Sequence, residues 1–317
     1  MIRIAPSSIE MLSGSETADF PDRLSPVFVR DLRQGLRAHS FVWVFILLQL
    51  LSLISTLVEL ALIQVIGESA QGGALSGMFQ TVLIITFCGI LPLTMFGALQ
   101  SELGQGRNIE LLLTSSLTRW QLVRGKLLVA CSLSGLLLGS LLPYFLIRYF
   151  LGSLELTHAG LLIGAVVLFN AAANAIVIGA SGYANYVGRC AVIFYFLMFL
   201  IISLTASSAS MAFSAAVGIG APEVLSLAST YLCVGLLFIA LGLQLGRARV
   251  RLFENPIDPP STAVVFVFVF ATPFLVGIAA GTGGIIATLI LLSLMILLVV
   301  KIDPGASKKN RLKGLQP

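Results

Sequence analysis

Glu59 and Arg148 are charged residues inside long apolar segments of this 317-residue chain. An ionisable group at the centre of a lipid bilayer costs roughly 2.5–3.5 kcal/mol on insertion scales, so it is a candidate functional residue by default. Glu59 lies about 27 Å along a helix from Phe41, which predicts a position near the outer interface, where Arg148 could pair with it. A structural ion pair and a role in a gate or in cargo binding both remain open.

Asn170 and Asn174 are polar residues in another apolar segment. Their spacing of four places them on one helix face, where interhelical hydrogen bonding and a gate role both fit. His39 and His158 flank apolar segments instead of lying within them, which counts against a proton relay. Four widely spaced cysteines suggest neither a disulfide framework nor a metal site, and we interpret them as buried apolar residues: Cys88, Cys131, Cys190 and Cys233.

No nucleotide-binding motif accompanies these residues. The pattern G-x-x-x-x-G-K-[ST] is absent, and Gly125-Lys126 is followed by Leu127. No His/Asp/Glu or Ser/His set lies at one depth either. We therefore expect no enzymatic activity, no bound cofactor and no metal in this chain.

The composition indicates a membrane protein. The chain is 57% hydrophobic and 10% charged, whereas soluble domains carry about 25% charged residues. We predict an all-α polytopic protein without a removable signal peptide. The predicted spans number eight and lie at 41–66, 78–100, 126–150, 159–181, 189–206, 224–246, 263–280 and 285–300.

Basic residues are distributed asymmetrically over the predicted loops. With the N-terminus in the cytoplasm, every Lys and Arg except Arg148 falls on the cytoplasmic side. The positive-inside rule then predicts cytoplasmic N- and C-termini in the plasma (inner) membrane. The net charge of +5 does not indicate nucleic-acid binding, because the charges stand in short clusters between apolar runs.

Two segments read as cytoplasmic surface helices. Residues 24–40 predict an amphipathic helix in the interface plane, with an ordinary basic flank as the alternative. Residues 102–124 predict a helix, a break at Thr114-Ser115-Ser116 whose hydroxyls can cap a new helix, and a second helix that enters the third span. Such a segment could be a lipid-packed loop or a docking surface for a soluble partner.

The stretch "IELLLTSSLTRWQLVRGKLL" resembles the loop between the second and third spans of ABC transporter permeases of the type-2 exporter class. "PVFVRDLRQGLRAHSFVW" at 26–43 resembles the lead-in to their first span. Ser116 stands where the family commonly has Pro, and Asn108 where it commonly has Thr. The resemblance covers about residues 24–246, and the hairpin at 263–300 is additional to the six-span core of the family.

This resemblance implies a permease that dimerises, as a homodimer or a heterodimer, and binds separate ABC ATPase subunits, which would hold ATP and Mg²⁺. The implied organisation is a tail at 1–23, the interfacial helix 24–40, the core 41–246 with its coupling segment 102–124, a linker at 247–262, the hairpin 263–300 and a basic tail at 301–317. The implied coupling residues are Glu102, Arg107, Glu110, Leu112, Ser115, Leu117 and Arg119.

Two other classes of function remain open at this stage: a secondary carrier, and a non-transporting membrane scaffold or assembly protein. Inverted repeats and several midplane charges would favour a carrier, and the sequence has neither. The cargo is not encoded in any recognisable motif. For the uncharged stretch 205–222, the resemblance implies short re-entrant or interfacial helices at an outer gate, and a flexible outer loop is the alternative.

Overall fold

The computed structural model describes residues 26–66, 74–100, 119–150, 156–216, 224–249, 262–282, 289–290 and 293–297, and their regular structure is entirely helical. The helices are α1 (Pro26–Arg37), α2 (His39–Ile66), α3 (Ala74–Ile84), α4 (Arg119–Ser140), α5 (Leu142–Phe150), α6 (Leu156–Ala180), α7 (Tyr186–Ala216), α8 (Val224–Arg249) and α9 (Thr262–Thr282). A π-helical turn, Ile85–Ile90, and a helical turn, Leu91–Leu93, extend α3. Short helical pieces lie at 289–290 and 293–297.

Five helical segments in this part of the chain are long and apolar enough to cross a membrane: His39–Ala61, Trp120–Phe150, Ala159–Ala180, Tyr186–Ser210 and Ala228–Ala248. The prediction of an all-α protein with membrane-spanning helices is confirmed at this level. Phe79–Leu93 and Val265–Ile278 are shorter apolar helices that coincide with the second and seventh predicted spans. The eighth lies mostly outside the described residues, so the count of eight stays a prediction.

Helices α6 and α8 form the most extensive contact of the fold. A Cβ on Gly242 would lie 2.6 Å from the carbonyl carbon of Ala175, and one on Gly179 would overlap the carbonyl oxygen of Gly242. The two backbones thus touch, which only glycine permits here. Gly246, four residues after Gly242, packs at the same interface, where an added Cβ would lie 3.4 Å from Gly179 Cα.

Helices α7 and α9 form a second extensive contact, which is aromatic. The rings of Tyr195 and Phe266 lie 5.2 Å apart, and Phe199 and Phe270 lie 5.6 Å apart. The Tyr195 hydroxyl donates a hydrogen bond to the carbonyl oxygen of Phe266 at 3.0 Å, so the phenol is satisfied inside an apolar contact.

Proline and the π-helical turn interrupt two of the predicted spans. The chain turns at Leu141, just before Pro143, whose ring nitrogen cannot donate to the carbonyl four residues earlier. Pro92 follows the π-helical turn, and a non-helical turn occupies 94–99. Pro273 lies inside α9 without a break in helix assignment.

Several predicted boundaries can be compared with the structure. Helix α7 continues to Ala216, so residues 205–216 are helical and do not form the flexible loop, while 217–222 lie outside the described residues. The predicted linker 247–262 begins within α8, which ends at Arg249. The predicted tails 1–23 and 301–317 lie outside the described residues. Cys233 is buried, Cys88 and Cys131 are half-buried and Cys190 is exposed, so the interpretation of all four cysteines as buried is confirmed for Cys233 and wrong for Cys190.

Candidate functional site

Helix α2 carries a line of polar residues on its inward side. Gln49, Ser52, Thr56 and Glu59 repeat at three- and four-residue intervals, which places them on one helix face, and Ser55 lies beside them. The serines, Thr56 and Glu59 are buried, and Gln49 is half-buried. We call these five residues the polar strip.

The opposite side of α2 is apolar and exposed. Trp43 is 70% exposed, and Leu50 and Leu57 are each more than half exposed. A helix of a water-soluble protein places its apolar face inward. The reversed arrangement in α2 is what a lipid-facing helix requires, and it makes the polar strip the inner lining of this part of the bundle.

Glu59 and Arg148 form the ion pair that the sequence suggested. Arg148 Nη2 contacts Glu59 Oε2, and the two side chains are 0% and 2% exposed. The Arg148 guanidinium also lies over the ring of Phe79, 4.3 Å from its centroid. Because both charges are removed from solvent, loss of either partner would leave an uncompensated buried charge.

The polar strip also contacts the break between α4 and α5. Gln49 Nε2 donates to the Ser140 hydroxyl at 2.6 Å, and Ser140 in turn donates to the carbonyl oxygen of Leu137 at 2.7 Å. Ser140 is the last residue of α4, one residue before the turn at Leu141. The strip is therefore attached to the third predicted span at Ser140 through Gln49 and at Arg148 through Glu59.

Three buried hydroxyls near this lining receive no hydrogen-bond partner within the described part of the chain: those of Ser52, Ser55 and Thr86. Thr86 belongs to the π-helical turn, which contacts α2, and such turns occur frequently at functional sites. Buried hydroxyls are normally hydrogen-bonded to protein or to water. The strip thus offers polar groups that are available to water or to a polar ligand.

Asn170 and Asn174 share one face of α6 as predicted, and they bond each other. Asn174 Nδ2 donates to Asn170 Oδ1 at 2.9 Å, and both residues are buried. Within the described ranges, no hydrogen bond joins either asparagine to Glu59 or Arg148. The four polar residues singled out in the sequence therefore form two separate pairs.

Six of the implied coupling residues lie outside the described residues: Glu102, Arg107, Glu110, Leu112, Ser115 and Leu117. Arg119 begins α4, although its side chain is not described. The residues that follow it are informative. The guanidinium groups of Arg124 and Arg247 lie 4.3 and 5.7 Å from the ring centroid of Trp120, so the start of α4 and the end of α8 meet.

Other contacts place further basic residues at the same end of the bundle. Lys126 Nζ lies 3.8 Å from Asp31 Oδ2 of α1. Arg189 Nε donates to the carbonyl oxygen of Tyr183 at 2.7 Å and thereby caps the turn between α6 and α7. We call the end that carries Arg124, Lys126, Arg189 and Arg247 the basic end, and the end that carries Glu59 and Arg148 the far end.

Some of these contacts could not be recognised in the sequence. The salt bridge between Asp31 and Lys126 joins α1 to α4, although the residues are 95 positions apart, and no spacing rule relates them. The Trp120–Arg247 contact was partly indicated by the sequence, because the distribution of basic residues over the predicted loops places both residues on the same side of the bilayer. The Glu59–Arg148 pair was predictable from helix length alone.

Within the described residues, the fold and the polar lining define the class: an all-helical arrangement in which five segments are long and apolar enough to span a membrane, and in which an ion pair is buried between two of them. No protein-family model, no curated protein and no solved structure matches the chain.

Proposed function

We propose that the chain is the membrane-spanning permease subunit of an ATP-driven ABC exporter, coupled to a separate ATPase through the loop between its second and third spans. The observation that supports this proposal most is the attachment of α1 to α4. Helix α4 begins at Arg119, within the predicted coupling segment 102–124, and α1 packs along it at Gly35 and Leu133 and at Asp31 and Lys126. Any displacement of the coupling segment would thus move α1 and α4 together.

The same helix extends toward the far end. Helix α4 continues through the break at Leu141 into α5, which carries Arg148. A movement imposed on the start of α4 would therefore act on the Glu59–Arg148 pair, and separation of α2 from α5 would expose the polar strip. In this mechanism the permease has a closed state and an open state. The ATPase shifts the equilibrium between these two states by the difference between its affinities for them.

The remaining parts of the proposal concern topology and partners. The basic end faces the cytoplasm in the plasma (inner) membrane, in accordance with the positive-inside rule. Two permease subunits, identical or different, assemble with two ATPase subunits that bind ATP and Mg²⁺. The hydroxyls of the polar strip suit a cargo with a polar group, and they do not define its class.

The test begins with co-expression of the tagged chain and candidate ATPase subunits from the same operon. The purified complex is reconstituted in nanodiscs, and its ATP hydrolysis is compared with that of the ATPase alone. Glu110→Lys and Arg119→Glu should each reduce the stimulation about fivefold or more, since allosteric couplings are typically worth a factor of 5–150.

Lys308→Glu is the matched control, because it reverses a charge on the same predicted side of the membrane but outside the coupling segment. It should leave the stimulation unchanged. The proposal fails if no ATPase co-purifies, or if both coupling variants stimulate hydrolysis as the wild type does.

The buried carboxylate of Glu59 favours one alternative, a secondary carrier, because ionisable groups inside a membrane commonly mark ion or proton pathways. A carrier would transport cargo in proteoliposomes that contain only this chain and an imposed proton or sodium gradient, and Glu59→Gln would abolish that flux. An exporter subunit would show no gradient-driven flux without its ATPase.

A further inference from the structure

A partly open cavity of about 280 Å³ lies at the basic end and is lined by four elements. Helix α1 contributes Asp31 and Gln34, the start of α2 contributes Ser40 and Phe41, the turn after Leu93 contributes Thr94 and Met95, and α4 contributes Lys126, Val129 and Leu133. These elements approach one another because Gly35 lets α1 lie directly on Leu133. The cavity is independent of the polar strip, which lines the far half of α2.

The cavity combines two opposite charges with an apolar floor. Asp31 and Lys126 are 15% and 10% exposed at their side chains, and their charged atoms are 3.8 Å apart, a distance too long for a hydrogen bond. Phe41, Met95, Val129 and Leu133 supply the apolar surface. A ligand with one anionic group, one cationic group and a hydrocarbon portion would match all of these features.

The position of the cavity further restricts the class of ligand that it could bind. It lies where α1 meets the beginning of α2 and the early turns of α4, which is the level of lipid headgroups if α2 and α4 cross the bilayer. Arg33 and Arg37 lie on the exposed side of α1 and do not line the cavity. A glycerophospholipid therefore has the required charge, hydrocarbon and location together.

We propose that this cavity binds the headgroup of phosphatidylethanolamine, with the phosphate on Lys126, the ammonium on Asp31 and the start of an acyl chain on Val129 and Leu133. Arg30 already binds Asp31 Oδ1, with Nη2 at 2.9 Å and Nε at 3.0 Å, whereas Asp31 Oδ2 is the oxygen that faces Lys126. Insertion of the zwitterion would place its ammonium on Asp31 Oδ2 and its phosphate on Lys126, so that two charge-assisted hydrogen bonds replace the long contact between Oδ2 and the Lys126 ammonium. The primary ammonium matters because it has three N–H donors, whereas the trimethylammonium of phosphatidylcholine has none. Phosphatidylglycerol has no ammonium to place against Asp31 Oδ2, so it would form the phosphate contact alone.

The experiment uses the full chain in detergent and measures retained lipids by native mass spectrometry. The probes are phosphatidylethanolamine, phosphatidylcholine and phosphatidylglycerol with identical acyl chains. The wild type should retain phosphatidylethanolamine about tenfold or more better than phosphatidylcholine, the factor expected for charge-assisted hydrogen bonds. This comparison needs no substitution and therefore does not depend on the folding of a variant.

Two variants separate the two halves of the site. Asp31→Asn preserves the shape and should abolish the preference for the primary amine while phosphate binding remains. Lys126→Met should weaken all three lipids about tenfold or more. Arg37→Gln is the matched control: it removes one charge from the exposed side of α1 and should change neither affinity nor preference.

Three results would overturn the assignment. They are equal retention of the ethanolamine and choline lipids by the wild type, retention of phosphatidylethanolamine by Lys126→Met at wild-type level, and stronger binding of phosphatidylglycerol than of phosphatidylethanolamine. None of these measurements involves an ATPase, so they test the lipid site independently of the exporter proposal.

Discussion

Helices α2 and α8 belong to one bundle but associate with their neighbours in opposite ways. In the span of α8, 61% of the residues are buried, compared with 22% in that of α2. Helix α8 meets α6 through backbone contacts at Gly242 and Gly179. Helix α2 directs apolar side chains outward and presents the polar strip inward.

This difference has a physical basis in the membrane. Apolar side chains gain little by moving from lipid to protein, so helix association depends on close packing and on polar contacts. The α6–α8 pair uses close packing along its length. Helix α2 relies on a few polar contacts, chiefly Glu59 with Arg148 and Gln49 with Ser140. Helix α2 is therefore less closely packed than α8, and its separation from α5 depends on breaking these polar contacts.

The largest expected effect comes from breaking the buried ion pair. Arg148→Met should lower the free energy of unfolding by about 3–5 kcal/mol, because it leaves the Glu59 carboxylate buried without its counter-charge. The double variant Glu59→Leu/Arg148→Met should recover most of that loss, since apolar replacement of a whole buried pair is often neutral. Unfolding of all variants is measured in one detergent.

Arg124→Met provides the control for loss of a positive charge over an aromatic ring. Arg124 is exposed and lies over Trp120, so its removal should cost about 0.5–1 kcal/mol. If Arg148→Met proves no more damaging than Arg124→Met, the ion pair does not attach α2 to α5.

Gly242→Leu tests the other side of the comparison. Its side chain would enter the backbone of Ala175 and push α6 and α8 apart, which should cost about 1–3 kcal/mol. Gly139→Leu is the matched control, because a Cβ at Gly139 meets nothing within 4 Å, and it should stay within about 0.5 kcal/mol of the wild type. Equal melting temperatures for the two variants would contradict a packed α6–α8 interface.

Much of the fold could be predicted because membrane helices are encoded locally. A run of apolar residues specifies a helix whatever surrounds it, and the predicted ends of the first, fourth and sixth spans fall within three residues of α2, α6 and α8. The second span was less predictable. The π-helical turn at Ile85–Ile90 has no sequence signature apart from the following Pro92.

The candidate site could be predicted only where distance along a single helix determines the position of a residue. Distance along a helix placed Glu59 level with Arg148, and spacing paired Asn170 with Asn174. Which side of α2 faces inward depends on its neighbours, so the burial of Ser52 and Ser55 did not follow from the sequence. The contact between Asp31 and Lys126 likewise depends on how α1 crosses α4.

The smallest expected effect concerns the hydroxyls of the polar strip. Ser52→Ala should change the free energy of unfolding by less than about 0.5 kcal/mol, because the Ser52 hydroxyl has no hydrogen-bond partner among the described residues and its removal breaks no bond there. Ser181→Ala is the control. The Ser181 hydroxyl accepts from the Leu99 N–H at 3.1 Å, and its loss would leave that group unpaired at a cost of about 1–3 kcal/mol.

A stable Ser52→Ala variant would not show whether the hydroxyl becomes exposed during function. Cysteine labelling at this position answers that question. In a chain whose native cysteines are replaced, Ser52→Cys should react with a small charged thiol reagent whenever α2 separates from α5. Leu48→Cys, also fully buried one turn earlier on α2, should react more slowly, because Leu48 belongs to the apolar cluster with Phe79 and Leu137. Equal reaction rates at the two positions would mean that the polar strip has only a structural role, and that α2 does not separate from α5 along it.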